Sequence, residues 1–86
     1  MDRHHEALWK AIDEVAANAD WSASRLAIMS GLDKTTFNKS KRKSRHGQRR
    51  WPKMEVIAKV LLASGMTYSE FGALIDNKMG SADRKE

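Results

Sequence analysis

The sequence predicts an all-α domain of five short helices, and three observations carry that expectation. Apolar residues recur at three- and four-residue steps along most of the chain, the period of a helix with one buried face. Cap signals punctuate that rhythm, with Ser22, Asp33 and Thr67 at helix starts and Gly31 and Gly65 at helix ends. No run of β-branched and aromatic residues alternates with polar ones as a half-buried strand would. At 86 residues and 41% apolar content, the chain makes one domain with a modest core.

The first helix is expected over Arg3 to Ala19, where Leu8, Trp9, Ile12, Val15, Ala16 and Ala19 paint one apolar stripe. The second follows Ser22, whose hydroxyl can cap free N–H groups, with Trp21 stapled onto Leu26. It ends near Ser30, because Gly31 can take the left-handed conformation that closes a helix. The third opens at Asp33, with Leu32 placed to staple onto Phe37, and runs to Lys41 or Arg42. Residues 43 to 50 contain nothing apolar and read as a loop. Trp51-Pro52 announces a fourth helix, since proline is tolerated in a first turn, with Met54, Ile57, Ala58 and Leu61 as its buried face and Gly65 as its stop. Thr67 opens the fifth with a capping box to Glu70 and a staple from Met66 to Phe71, and Phe71, Leu74 and Ile75 return to the core. The domain is expected over 1–75, and 76–86 reads as a polar tail or the start of a linker.

Composition narrows the function classes. Without cysteine there is no disulfide framework, thiolate nucleophile or Cys-based zinc site, which fits a reducing compartment. No apolar run approaches the roughly 18 residues of a membrane span, and the N-terminus lacks the layout of a secretory signal. The expectation is a cytoplasmic, nucleoid-associated protein with no membrane partner. Net charge is +5, and its distribution says more than its size. Lys34 to Met54 holds nine Lys/Arg and no acid, whereas the rest of the chain holds seven basic and eleven acidic residues. A field focused in this way attracts polyanions, nucleic acid above all. The plainer alternative is a solvated loop or a localisation-type basic cluster.

The stretch from Ser22 to Arg42 has the parts of a helix-turn-helix. Ala27 is small where two helices would cross, Gly31 turns the chain four positions later, and Phe37 is spaced to pack inward from the second helix. Together with Leu26-Ala27, Gly31-Leu32 and Ile57-Ala58…Leu61, these residues resemble the lambda-repressor-like helix-turn-helix domains of phage and bacterial repressors. Gly31-Leu-Asp-Lys-Thr-Thr-Phe-Asn-Lys-Ser-Lys-Arg42, with Arg50-Trp-Pro52 and Ile57-Ala-Lys-Val-Leu61, is similar more narrowly to the N-terminal domain of bacterial self-cleaving repressors that carry a Ser-Lys peptidase half. The similarity spans about residues 6 to 75. Ala23 stands where the family usually has glutamine, the loop before Trp51 is longer than in the smallest phage repressors, and the peptidase half has no counterpart in this sequence.

The resemblance implies sequence-specific binding of double-stranded DNA by a transcriptional regulator, a repressor, with the third helix in the major groove. By position, Lys34, Thr35, Thr36, Asn38 and Lys39 would face the bases, with Asn38 suited to adenine, the lysines to guanine or phosphate, and the threonine methyls to thymine. Ser22, Ser24 and Arg25 at the start of the second helix, and Lys41, Arg42, Lys43, Arg45, Arg49 and Arg50, would hold phosphates. Relatives pair as homodimers on half-sites, and the segment Tyr68 to Ile75 is the candidate dimer surface; a C-terminal peptidase or dimerisation domain is the other partner the family implies. Trp51 reads as capping the core rather than stacking on a base. His4, His5 and Glu6 read as a solvated helix start rather than a metal site, because adjacent histidines on a helix point apart. No nucleophile–base or paired-carboxylate arrangement stands out, so neither enzyme activity nor a cofactor is expected. Two alternatives remain: a protein-interaction module of the antitoxin type, and a non-specific nucleic-acid binder using the basic 41–50 loop alone.

Overall fold

The longest amphipathic stretch folds as the longest helix. In the computed structural model, which describes residues 3–44 and 46–80, α1 spans Arg3–Asn18 and buries Trp9, Ile12, Val15 and Ala16 of the expected stripe together with His5, Ala7 and Ala11. The chain leaves α1 through Asp20, whose φ of +63° is left-handed. Asp20 N–H donates to Ala17 O at 3.0 Å and Trp21 N–H to Ala16 O at 2.8 Å, the paired bonds of a Schellman turn. α2 spans Ala23–Met29 and starts where the sequence places it, with Ser22 Oγ accepting from Arg25 N–H at 3.1 Å. A second Schellman turn closes it: Gly31 has φ +78°, and Leu32 N–H reaches back to Ala27 O at 2.8 Å.

The expected third helix does not form, so the chain has four α-helices among the described residues rather than five, and the second helix of the expected helix-turn-helix is missing. Asp33 to Asn38 instead makes successive three-residue turns, closed by Thr36 N–H to Asp33 O at 3.0 Å and Asn38 N–H to Thr35 O at 3.1 Å. A single 3₁₀ turn, Lys39–Lys41, follows. The reason is local. Asp33 Oδ1 captures both the N–H and the hydroxyl of Thr35, at 2.8 and 2.6 Å, and Thr36 Oγ1 donates to the carbonyl of Asp33 at 2.6 Å. Side chains that bond their own backbone compete with helix propagation, and two β-branched residues in sequence lower helix propensity further. Phe37, fully buried, is the one side chain of this stretch anchored in the core, which leaves no apolar stripe to reward a longer helix.

α3 spans Met54–Ser64. Pro52 lies ahead of it and Lys53 occupies the N-cap, so the helix starts later than Trp51-Pro52 suggested. Its buried face is Ile57, Val60 and Leu61, while Met54 and Ala58 point to solvent. The inward stripe is thus rotated from the expected one. Gly65 closes α3 with φ +74°. α4, Tyr68–Met79, has the capping box read from the sequence, with Thr67 Oγ1 accepting from Glu70 N–H at 3.0 Å and Glu70 Oε1 accepting from Thr67 N–H at 2.9 Å. It continues past Ile75, where a polar tail was expected, and Lys78 there pairs with Glu14 of α1. Residues 81–86 of that tail lie outside the described residues.

α1 packs along α4 and also against α2, which in turn touches α3. Trp9, Ile12, Val15, Leu26, Phe37, Val60, Leu61 and Phe71 form one core between them. No described helix is long and apolar enough to cross a membrane. The left-handed Asp20 costs a non-glycine residue about 1 kcal/mol, so Asp20→Gly is expected to stabilise the protein by up to about 1 kcal/mol in urea denaturation, with an unchanged m-value.

Candidate nucleic-acid interface

Residues 38 to 50 contain no apolar side chain, so the basic segment has to be held by polar bonds. Arg42 supplies the central ones. Its guanidinium forks onto Asp13 of α1, Nη1 to Oδ2 at 3.1 Å and Nη2 to Oδ1 at 2.7 Å, and Nη2 also donates to the carbonyl of Phe37 at 2.9 Å. The same guanidinium lies 4.8 Å from the centre of the Trp9 ring, close enough for cation–π attraction. The Arg42 side chain is only 13% exposed, against 38% for Asp13. Planar bidentate geometry and the aromatic platform both favour arginine over lysine at this place.

A second latch holds the far end. His5 Nε2 lies 2.8 Å from the carbonyl oxygen of Arg50, and Trp9 Nε1–H donates to that same oxygen at 3.0 Å. Trp9 Nε1 lies 3.1 Å from His5 Nε2 as well, so the two rings and the Arg50 carbonyl meet at one point. The buried His5 also meets the Trp51 ring edge-on, with centroids 5.1 Å apart. Between the latches, Lys43 and Arg49 form an isolated antiparallel bridge. Ser44 caps the turn that joins them, its Oγ accepting from His46 N–H at 3.2 Å and Gln48 N–H at 3.1 Å.

This frame sorts the residues expected to meet DNA. Lys34 and Lys39 are exposed, whereas Thr35, Thr36 and Asn38 are half-buried, with both threonine hydroxyls turned back onto Asp33. Lys41, Lys43, Arg49 and Arg50 are exposed, and Lys41 Nζ reaches Thr35 Oγ1 at 3.3 Å. Arg42 is the exception, its charge committed to Asp13 on the flank of α1. Ser22, Ser24 and Arg25 are exposed at the start of α2, with the Ser22 oxygen occupied by its capping bond. Arg45 lies outside the described residues. Lys53, exposed at the start of α3, extends the same basic run.

Two expectations about aromatic and histidine residues are overturned. Trp51 is 49% exposed rather than sealed in the core, because its indole lies beside His5 at the edge of the latch. His5 is buried rather than solvated, packed between the Trp9 and Trp51 rings and the carbonyl of Arg50. Sequence reasoning missed Asp13 as the partner of Arg42; an acid on the polar side of α1 carries no mark of a contact 29 residues away. In the expected dimer segment, Phe71 is buried and Leu74 and Ile75 pack on the core, which leaves Tyr68 exposed. Compared with protein-family models, curated proteins and solved structures, the chain has no match.

The clamp should matter to stability. Arg42→Met removes the fork, the Phe37 bond and the stacked charge, and is expected to cost about 2 kcal/mol; Asp13→Asn, at the more solvated end, about 1 kcal/mol. A double-mutant cycle by chemical denaturation checks that the two losses are coupled. A second expectation concerns pH. The hydrogen bonds from the Thr35 hydroxyl and then the Thr35 amide, aided by the charges of Lys41 and Lys34, hold the Asp33 carboxyl below its ordinary value. A lowered native value means that the stabilisation is present above the unfolded-state value and is lost as pH falls through the native one. The Thr35 amide resonance should therefore titrate with a midpoint below that of an unstructured aspartate, and Asp33→Asn should abolish the transition.

Proposed function

We propose that the chain binds double-stranded DNA as a transcriptional regulator, gripping the phosphate backbone with the cations of segment 34–53. The observation that carries this reading is the state of those cations. Lys34, Lys39, Lys41, Lys43, Arg49, Arg50 and Lys53 are all exposed, and none forms an ion pair among the described residues. Charges spent on solubility alone need no such mounting, yet these sit on a backbone latched to α1 at Arg42 and at Arg50. A preorganised cation array lowers the ordering cost of binding. Counterion release on phosphate contact supplies the affinity.

Base reading in this proposal falls to the turn unit at 34–39 rather than to an inserted α-helix. Lys34, Asn38 and Lys39 keep polar groups to offer base edges, and Thr35 and Thr36 keep only their methyls. The half-exposed Trp51 adds a ring that can pack on a sugar. The sequence resemblance to lambda-repressor-like domains, short of the second helix of the helix-turn-helix, is what supports the repressor role and two copies on paired half-sites.

Fluorescence anisotropy with a random-sequence duplex, a duplex selected from a random pool, and single-stranded RNA tests the reading. With about five phosphates contacted, log K should fall with log salt at a slope of about −4 to −5. Replacing Lys34 and Lys39 with glutamine should flatten that slope by about 2. Asn38→Ala should erase the preference for the selected duplex while leaving the slope unchanged. Absence of duplex binding at low salt, or equal competition by the RNA, overturns the proposal. Binding indifferent to salt does so too, and would move attention to exposed apolar side chains such as Met54, Leu62 and Tyr68.

A further inference from the structure

Between α1 and the returning basic segment runs a groove of about 480 Å³. Lys10 and Glu6 line it from α1, and Lys39, Lys43 and Arg49 line it from the segment, with Arg42 and Asp13 already paired to each other. Lys10, Lys39, Lys43 and Arg49 have no carboxylate partner among the described residues, so four uncommitted cations face one uncommitted carboxylate.

The backbone forces two of those cations together. Lys43 and Arg49 sit directly opposite each other. The flanking bonds run from Ser44 N–H to Gln48 O at 2.7 Å and from Arg50 N–H to Arg42 O at 2.9 Å. That pattern makes Lys43 and Arg49 a non-hydrogen-bonded pair, the arrangement in which opposite side chains approach closest and share one face. Like charges placed so are destabilising. An anion between them converts the repulsion into two charge-assisted contacts, and Lys39 and Lys10 line the same groove.

We propose that this groove binds a small molecule bearing a di- or triphosphate group. Its volume falls in the ordinary range of small-molecule sites, about 300–1,000 Å³. The ring of Trp9 is covered by Arg42, so the phosphates rather than a stacked base carry recognition. Because Lys39, Lys43 and Arg49 also belong to the DNA-gripping array, an occupied groove would weaken DNA binding; that consequence alone rests on the function proposed above.

Isothermal titration calorimetry of the full chain with inorganic triphosphate and with ATP, at constant ionic strength and without DNA, tests the site. Saturable one-to-one binding of both, with similar affinity, is expected. Lys43→Gln/Arg49→Gln should weaken it by about tenfold or more, while the charge-matched Lys34→Gln/Lys53→Gln stays within about twofold, as unlocalised screened attraction would not. Triphosphate should raise the melting temperature of the wild type and of the charge-matched variant but not of the groove variant. Should the double variant fail to fold, Lys43→Gln alone serves, with a smaller loss expected. Non-saturable binding, or equal weakening in both double variants, overturns the site. Neither result bears on duplex binding, which is measured separately.

Discussion

A stretch without a single apolar side chain has to be tied down by polar bonds, and residues 38 to 50 are such a stretch. The hydrophobic effect acts on Phe37 before it and has no handle until Trp51 after it. The described residues between are placed by hydrogen bonds and charge, and Arg42 makes the fork that ties them to α1. One guanidinium joins Asp13 of α1, the carbonyl of Phe37 and the face of Trp9, so the first helix, the turn and the basic arm share one clamp. The second latch, His5 and Trp9 on the carbonyl of Arg50, uses the same helix. α1 is therefore both the main wall of the core and the mount of the charged surface.

The chemistry that makes the segment a ligand for polyanions also decides its shape. Lysine and arginine kept in solvent cannot build an apolar stripe, and the aspartate and threonines beside them satisfy the backbone locally. Turns result where a helix was expected. Turns display their side chains over a short length of chain, and the Lys43–Arg49 bridge goes further by setting two cations opposite each other. Electrostatic strain of that kind is relieved by an anion, which links the architecture of the arm to what it is suited to hold. Bound phosphate would stabilise the arm further by mass action.

How much of this was legible in the sequence differs by element. A long apolar stripe alone marked α1, and where a cap residue and a stripe agreed the expectation held: the Ser22 start of α2, its Gly31 end and the Thr67–Glu70 box all stand as read. At Asp33 the cap signal stood without a stripe behind it, and the same carboxylate that would have started a helix closed a turn. In α3 the stripe was real but its phase was ambiguous, because Met54, Ile57, Ala58, Val60, Leu61 and Leu62 offer more than one apolar face. Packing into the common core selected Ile57, Val60 and Leu61 and left Leu62 outside.

What the sequence determined by itself was the location of charge and the starts and stops of most helices, since composition and capping act within a few residues. What only the tertiary structure decided was which charges remain available. Arg42 and Lys43 are neighbours of like charge, and nothing in the chain separates them; one forks onto Asp13 of α1, largely covered, while the other faces solvent. The same holds for His4 and His5, of which one is exposed and one buried against Arg50. Partners distant in sequence made those choices, because a hydrogen bond or an ion pair depends on where two groups meet in space.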